Sequence, residues 1–229
     1  MTVKNNFKSL NIAIIPARAG SKRLPGKNKL LLGGIPLVVH SIRYAKLYCN
    51  LIDKIVVSTD DADIKAIALS EGVEVIDRPL EIAGDEATTL SALQHVLENI
   101  KEEIDNVFLL QPTNPLRPGN LLRNAFKEFS KGKYESLMTV SKSYQKFGKI
   151  DNNQFVPFNY KMGQRSQDLE PLYFENGLLY IIKASLIEQD KLLGENNFPF
   201  IVDHLFSKVD IDEKEDFEYA EFLLKGTKN

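Results

Sequence analysis

The amino-acid sequence predicts an α/β fold, a three-layer and mostly parallel sheet with helices on both faces. Short apolar runs recur through the first half of the chain: Ile12 to Ile15, DKIVVST from Asp53 to Thr59, and NVFLLQ from Asn106 to Gln111. Segments with apolar residues at helical spacing separate these runs, and strands alternating with helices build a parallel sheet covered on both sides. The third observation is the polar loops at the ends of the runs. Open α/β sheets bind ligands beyond the C-terminal ends of their strands. Here those ends carry a basic loop, Ser58 to Asp60, and Gln111 to Arg117.

Taken in order, residues 1–9 read as a loose polar segment and Asn11 to Pro16 as the first strand, stopped by Pro16, which has no N–H to donate. Leu37, Val38, Ser41, Ile42 and Ala45 share one face of a helix that opens at Pro36; His40 lies beside that stripe and reads as structural. After the second strand, Asp60, Asp61 or Asp63 caps a helix with Ile64, Ile67 and Ala68 inward and Gly72 as its stop. Capping explains the Asp60–Asp61 pair more cheaply than a metal does. Val73 to Ile76 is a third strand. A loop from Arg78 to Glu86 leads to Thr88 or Thr89, the cap of a helix carrying Leu90, Leu93, Val96, Leu97 and Ile100, whose N-terminus favours an anion or a nucleotide edge. His95 falls off its apolar face. The fourth strand ends in QPTNPLR, and the helix from Asn120 to Ser130 buries Leu121, Leu122, Ala125, Phe126 and Phe129.

Leu137 to Ser143 reads as a strand and Tyr144 to Leu172 as a polar, aromatic excursion of weak periodicity. Tyr173 to Ile182 is a strand, Ala184 to Leu192 a short helix, Leu205 to Ile211 a strand, and Glu213 to Lys225 the last helix. Residues 1–229 are read as one domain, with 144–172 an insertion that closes a site or meets another subunit.

Several function classes are excluded by the totals. Hydrophobic residues make up 43% and charged residues 26%, as in an ordinary soluble globular protein. The formal net charge of −2 offers no basic field for nucleic acid. No run is long enough to span a membrane, and the first ten residues lack a signal-peptide core. Cys49 is the only cysteine, so no internal disulfide forms and a reducing, cytoplasmic compartment fits. Its neighbours Lys46, Leu47 and Tyr48 give it a packing role.

Against this neutral background the loop after the first strand, PARAGSKRLPGKN, stands out. Gly20 and Gly26 let backbone approach a ligand, while Arg18, Lys22, Arg23 and Lys27 favour an anion, a polyphosphate above all. It is not a P-loop: five residues separate Gly20 from Gly26, and Asn28 stands where Ser or Thr would bind magnesium. The dinucleotide fingerprint GxGxxG is absent. In QPTNPLR, Pro112, Pro115 and Pro118 stiffen a loop in which Gln111 can pair with a substrate hydroxyl or amide and Arg117 with a carboxylate or phosphate. The same loop also reads as a rigid strand-to-helix connection. Asp210 and Asp212 face the same side if their segment is extended. Two such carboxylates suit Mg²⁺, and Asp212 as a helix cap is the competing reading. Asn176–Gly177 reads equally as a bulge or a tight turn.

PARAGSKRLPGKN closely resembles the N-terminal signature of the acylneuraminate cytidylyltransferases, the CMP-sialic acid synthetases, and its RLPGK portion is similar to their relatives that activate Kdo. QPTNPLR looks like the family's LQPTSPLR with Asn114 for Ser. QRSQD, Gln164 to Asp168, resembles an RRQD run with Ser166 for the second arginine, ahead of a matching YFENGLLYI. The DxD at Asp210 and Asp212 matches the family's metal site. The likeness covers nearly the whole chain. It implies a nucleotide-diphospho-sugar transferase (GT-A-like, Rossmann-like) architecture and a nucleotidyltransferase that joins CTP to a 2-keto-3-deoxy acid sugar, releasing pyrophosphate, with Mg²⁺ as cofactor.

By that resemblance Ala17, Arg18, Ala19, Gly20, Ser21, Lys22, Lys27 and Asn28 hold the nucleotide, and Thr88 is a further candidate for the base. Gln111, Arg165 and Gln167 hold the sugar, and Asp210 and Asp212 the metal. Arg18, Lys27, Asp210 and Asp212 are the expected catalytic set. The resemblance also implies a homodimer in which the excursion reaches the neighbouring site. A Kdo-type enzyme, a glycosyltransferase and a nonenzymatic nucleotide sensor are the alternative readings.

Overall fold

The computed structural model describes residues 9–226, so the polar segment read at residues 1–9 lies, but for its last residue, outside the described residues. In chain order the strands and helices are β1 (Leu10–Pro16), β2 (Leu31–Leu32), β3 (Ile35–Pro36), α1 (Leu37–Lys46), β4 (Lys54–Thr59), α2 (Ala62–Ser70), β5 (Glu74–Asp77), α3 (Thr89–Glu98), β6 (Ile104–Leu109), α4 (Leu121–Lys131), β7 (Ser136–Ser143), β8 (Gly148–Asp151), β9 (Gln154–Pro157), β10 (Leu172–Lys183), α5 (Ala184–Ile187), β11 (Asn197–Ile201) and α6 (Lys214–Gly226). Seven strands form one sheet in the order β11-β7-β10-β6-β1-β4-β5. Only β10 runs against its neighbours β6 and β7; the other ladders are parallel.

The apolar runs of the sequence are buried on both faces because successive side chains point to opposite sides. Ala13 and Ile15 of β1 join Val57, Phe108 and Ile181 under α1, α2 and α4. Ile12 and Ile14 join Val56, Val107 and Leu109 under α3. Each fully buried aliphatic side chain contributes about 1.5–3 kcal/mol relative to exposure, so this central two-sided strand is the last place to tolerate a charge. A third cluster, Leu32, Leu37, Leu116, Val209, Ile211, Ala220 and Leu223, seats α6 against the loops at the C-terminal edge.

Local chemistry explains the element ends. The Asp61 carboxylate accepts from the amides of Asp63 and Ile64 at the start of α2, and Thr88 Oγ1 accepts from Ser91 N at the start of α3. At α6 the competing reading of Asp212 as cap is not met: Asp216, one turn in, reaches back to accept from the amides of Asp212 and Glu213. His40 Nε2 bonds the Leu32 carbonyl at 3.0 Å, a structural contact.

Four further expectations change. Leu205 to Ile211 is not a strand: residues Leu205–Lys208 form a 3₁₀ turn, and the extended segment after it has no ladder partner. The edge strand is instead β11, parallel to β7, which the proline in NFPFI hid. The helix after β10 stops at Ile187. Cys49 is exposed rather than packed.

The excursion carries a separate hairpin, β8 and β9. Asn152 and Asn153 both take positive φ, 45° and 61°, in its two-residue turn, the pattern of a type I′ connection. Ile150, Phe158 and Met162 are about three-quarters exposed there, at 73%, 68% and 74%.

Candidate active site

Chain direction across the sheet reverses beside β1: β4 and β5 lie on one side, β6 and β10 on the other. Ligand crevices form at such switch points. A cleft of about 550 Å³ opens there, lined by Pro16 from the end of β1, Gln111 to Thr113 after β6, Arg78 after β5, Thr88 and Thr89 at the head of α3, and the basic loop. The size suits a small-molecule site.

The basic loop is held in shape by its own polar groups. Asn28, almost fully buried, donates Nδ2 to the Arg18 carbonyl at 3.0 Å. Gly26 takes φ +65° to enter the 3₁₀ turn Lys27–Lys29, a backbone state that glycine adopts without penalty. Ala19 N donates to Asp60 Oδ1 at 2.8 Å, and Ala17 N to the Ser58 carbonyl at 2.9 Å. Both amides are thus already bonded, and Ala17, Ala19 and Gly20 do not line the cleft, whereas Arg18, Ser21, Lys22, Lys27, Asn28, Thr88 and Gln111 do.

The loop cations are paired with protein carboxylates. Lys22 meets Asp85 at 2.8 Å, Arg18 lies 3.6 Å from it, and Arg18 also donates to the Gly84 carbonyl. The Lys22 hydrogen bond holds the Asp85 carboxyl below its ordinary range. Lys27 donates to Asp212 Oδ1 at 2.7 Å and to the Ile211 carbonyl at 3.0 Å. Arg23 also pairs with Asp212. Burial pushes the Asp212 carboxyl up, but Lys27 and Arg23 outweigh it and leave it below the ordinary value.

Asp210 does not line the cleft. Surrounding protein strips water from its carboxyl and pushes it up, and the charges of Asp212 and Asp216 push the same way, while the Thr113 hydroxyl and Lys27 oppose. Its side chain nonetheless keeps accessible surface. Although the strand reading fails here, the alternation holds: Val209 and Ile211 are buried and the two aspartates turn the other way.

No cluster of three or more His, Cys, Asp or Glu among the described residues is arranged to hold a metal. The donor set still fits a hard divalent cation. Mg²⁺ takes one or two carboxylates and completes its shell with water and phosphate, and here Asp210 and Asp212 offer two carboxylates whose charges repel one another, with Asp212 holding Lys27 and Arg23.

Of the three sugar-binding candidates Gln111 lines the cleft, while Arg165 and Gln167 are not brought to it. Arg165 instead pairs with Asp168 at 2.7 Å on the exposed excursion. Arg117 is buried and donates to the carbonyls of Leu178 (2.6 Å) and Gln111 (2.8 Å) and to Ser41 Oγ (3.1 Å), so it is a structural clamp on the cleft wall.

Two cleft residues went unread in the sequence. Arg78 is buried, with Nε and Nη2 on Ser58 Oγ and the Ser58 carbonyl. Burial lowers its pKa, and Arg18 adds to the effect against Asp60. A cation just past a strand's C-terminal end was a usable signal. Asp85 had none, since an acidic residue in RPLEIAGDE reads as solvated.

The profile of the cytidylyltransferase family matches residues 12–228. A CMP-N,N'-diacetyllegionaminic acid synthase of Legionella pneumophila is 35% identical over 231 residues, covering 93% of this chain and 96% of that protein. An N-acylneuraminate cytidylyltransferase of Streptococcus agalactiae is 32% identical over 214 residues, covering 90% of this chain. The chain spans about half the length of that relative, 51%. Among solved structures, a CMP:2-keto-3-deoxy-manno-octonic acid synthetase in complex with CTP superposes with a TM-score of 0.71 at 17% identity, covering 96% of this chain and all of that one, which establishes the fold.

Proposed function

Because the chain belongs to the cytidylyltransferase family, we propose that it transfers CMP from CTP to a nine-carbon 2-keto-3-deoxy acid sugar and releases pyrophosphate. The observation that carries this reading is the meeting of Arg18, Lys22 and Lys27 with Asp212 in one cleft headed by the N-terminus of α3. Such a site offers a triphosphate three cations, a helix end and carboxylates for a counter-ion.

In the reaction the sugar's anomeric hydroxyl attacks the α-phosphorus, the bond to pyrophosphate breaks with its electron pair leaving on pyrophosphate, and the hydroxyl proton passes to water. Arg18 and Lys22 hold the phosphates, Lys27 faces the charge that grows on the leaving group, and Asn28, Arg78 and Thr88 shape the nucleotide pocket. Ser21 adds a hydroxyl at its rim, and Gln111 offers its amide to the sugar. Ala17, Ala19 and Gly20 act through the loop's shape. Rate enhancement of this kind comes from positioning and fixed charge. Asp210 and Asp212 would hold Mg²⁺, which supplies charge neutralisation at the phosphates and acidifies the attacking hydroxyl.

Arg165 and Gln167 serve the sugar site of a second copy, which makes the enzyme a cytoplasmic homodimer joined through 144–172. The exposed Ile150, Phe158 and Met162 support a covered excursion. In sedimentation, Ile150→Asp with Phe158→Asp should yield monomers of low activity, while a monomeric wild type would sink the dimer.

CTP binding must break the Asp85 pairs with Lys22 and Arg18. An exposed ion pair contributes little, so Asp85→Asn should tighten CTP by no more than about fivefold in calorimetry. Weaker binding in that variant would show that Asp85 helps to hold the nucleotide.

The test of the whole reading is pyrophosphate release, with CTP, UTP, ATP and GTP set against neuraminic, legionaminic, pseudaminic and Kdo-type acids. A signal confined to CTP and one nine-carbon acid is expected. CTP binding without release on any acid would favour the sensor reading.

A further inference from the structure

The QPTNPLR loop holds a buried amide for which the proposed reaction has no use. Asn114 is 1% exposed. Its Nδ2 donates to the Val209 carbonyl at 2.8 Å and to the Asn176 carbonyl at 3.1 Å, and its Oδ1 lies 3.2 Å from the Thr113 hydroxyl, whose one proton it shares with the Asp210 carboxyl. The two carbonyls belong to different parts of the chain. Asn176 opens the bulge of β10, where five residue steps from Glu175 to Tyr180 face only two steps of β7, from Val140 to Met138. Val209 begins the extended segment that ends in Asp212. We propose that Asn114 is a positioning residue that fixes Asp210 and Asp212 by tying their segment to the rigid bulge of the sheet.

Three observations carry this inference, which rests on the reading of the two aspartates as metal ligands. The Val209–Asp212 segment has no strand partner among the described residues to fix it. Its described backbone ties to the 111–117 loop are the Asn114 bond to Val209 and the bond from Ile211 N to the Thr113 carbonyl at 2.8 Å, so the side chain and main chain of neighbouring residues hold both sides of Asp210. The bulge is in turn a firm anchor. Asn176 Nδ2 donates to Ser141 Oγ at 2.9 Å, Leu179 N to Thr139 Oγ1 at 3.1 Å, and Arg117 takes the Leu178 carbonyl. Finally, Gly177 has φ +70°, and a Cβ there would come within 2.7 Å of Asn114 Oδ1. The amide therefore has one seat, against a residue that must lack a side chain. An amide NH₂ has two donors, and both are used on carbonyls of separate segments; a hydroxyl could satisfy only one.

The experiment compares wild type, Asn114→Ser, Gly177→Ala, their double variant and Asp210→Asn. At saturating CTP, Mn²⁺ is titrated and both the thermal-shift gain and pyrophosphate release are read. Loss of a group that orients metal ligands costs about 10–100-fold in metal affinity. Asn114→Ser should thus need at least about tenfold more Mn²⁺ for half its gain, at an unchanged KM for CTP, with turnover recovering at high Mn²⁺. Gly177→Ala should raise the Mn²⁺ requirement from the other side, and the double variant less than additively, since serine vacates the space. Thermal shift reads even a weakened fold. Wild-type Mn²⁺ dependence in both Asn114→Ser and Gly177→Ala overturns the inference. If Asp210→Asn also keeps it, or if Mn²⁺ adds nothing to CTP in wild type, the metal reading fails and takes the inference with it.

Discussion

Asp212→Ala is expected to lower turnover by about 10²–10³-fold, the scale on which single charge-stabilising groups act in enzymes, while CTP binding holds or tightens. The split comes from the partners of Asp212. Its carboxylate holds Lys27 and Arg23 in the absence of nucleotide; removing it frees both cations for the triphosphate but takes away an oxygen ligand for the counter-ion. The fold should survive. Asp212 is partly exposed, its pairs are of the kind that contribute about 1 kcal/mol or less, and α6 is capped by Asp216. Single-turnover rates at saturating CTP, with a melting curve as control, measure this. Full activity would remove Asp212 from the metal site. Loss of CTP binding together with activity would instead make it a structural partner of the basic loop.

How much of this was legible depends on the scale of the signal. Ile12 to Ile15, DKIVVST and NVFLLQ announce buried parallel strands because a strand covered on both faces must be apolar throughout, and the two-sided burial of β1 is the direct result. The loop PARAGSKRLPGKN could be placed at the cleft because a strand end, glycines and cations coincide in few other settings. NFPFI could not be read as a strand, since its proline argues against a ladder; β11 exists because parallel pairing with β7 overrides that local preference. Leu205 to Ile211 failed the other way. Its Val209 and Ile211 are buried with α6 and Leu116 rather than by a sheet, and hydrophobic pattern does not distinguish the two. The pairings of Asp60 with Ala19 and Asp85 with Lys22 join residues 41 and 63 positions apart, and no local pattern carries such information. Arg165 lies away from the cleft of its own chain, which composition cannot reveal and a second copy would explain.

Arg117→Ala should cost about 3–5 kcal/mol, the scale of losing several buried hydrogen bonds from one charged donor. The guanidinium is buried without a carboxylate partner among the described residues. Burial lowers its pKa to about 10, still far above neutrality, so the cation stays charged throughout. Carbonyl oxygens of Leu178 and Gln111, the Ser41 hydroxyl and the face of Tyr44 at 5.5 Å balance that charge. Hydrogen bonds to a charged donor contribute about 1.5–3 kcal/mol each, and a buried carbonyl left unpaired costs about 1–3 kcal/mol. Against these stands the relief of a desolvated charge, which is why the net loss is less than the sum. For a chain of this length the melting temperature should fall by about 10 °C. Arg117→Met separates the two contributions, because it fills the space without the donors: it should recover the part due to the cavity and leave the part due to the carbonyls. Arg117→Lys should resemble the methionine variant more than wild type, since three donors on a single nitrogen cannot match the spacing of Nε, Nη1 and Nη2. The Gln111 carbonyl takes one of the three bonds, so freeing it should also raise the KM for the acid sugar more than that for CTP. A melting point within about 2 °C of wild type, less than 1 kcal/mol on the same scale, would mean that the loop is held by its prolines and not by the arginine.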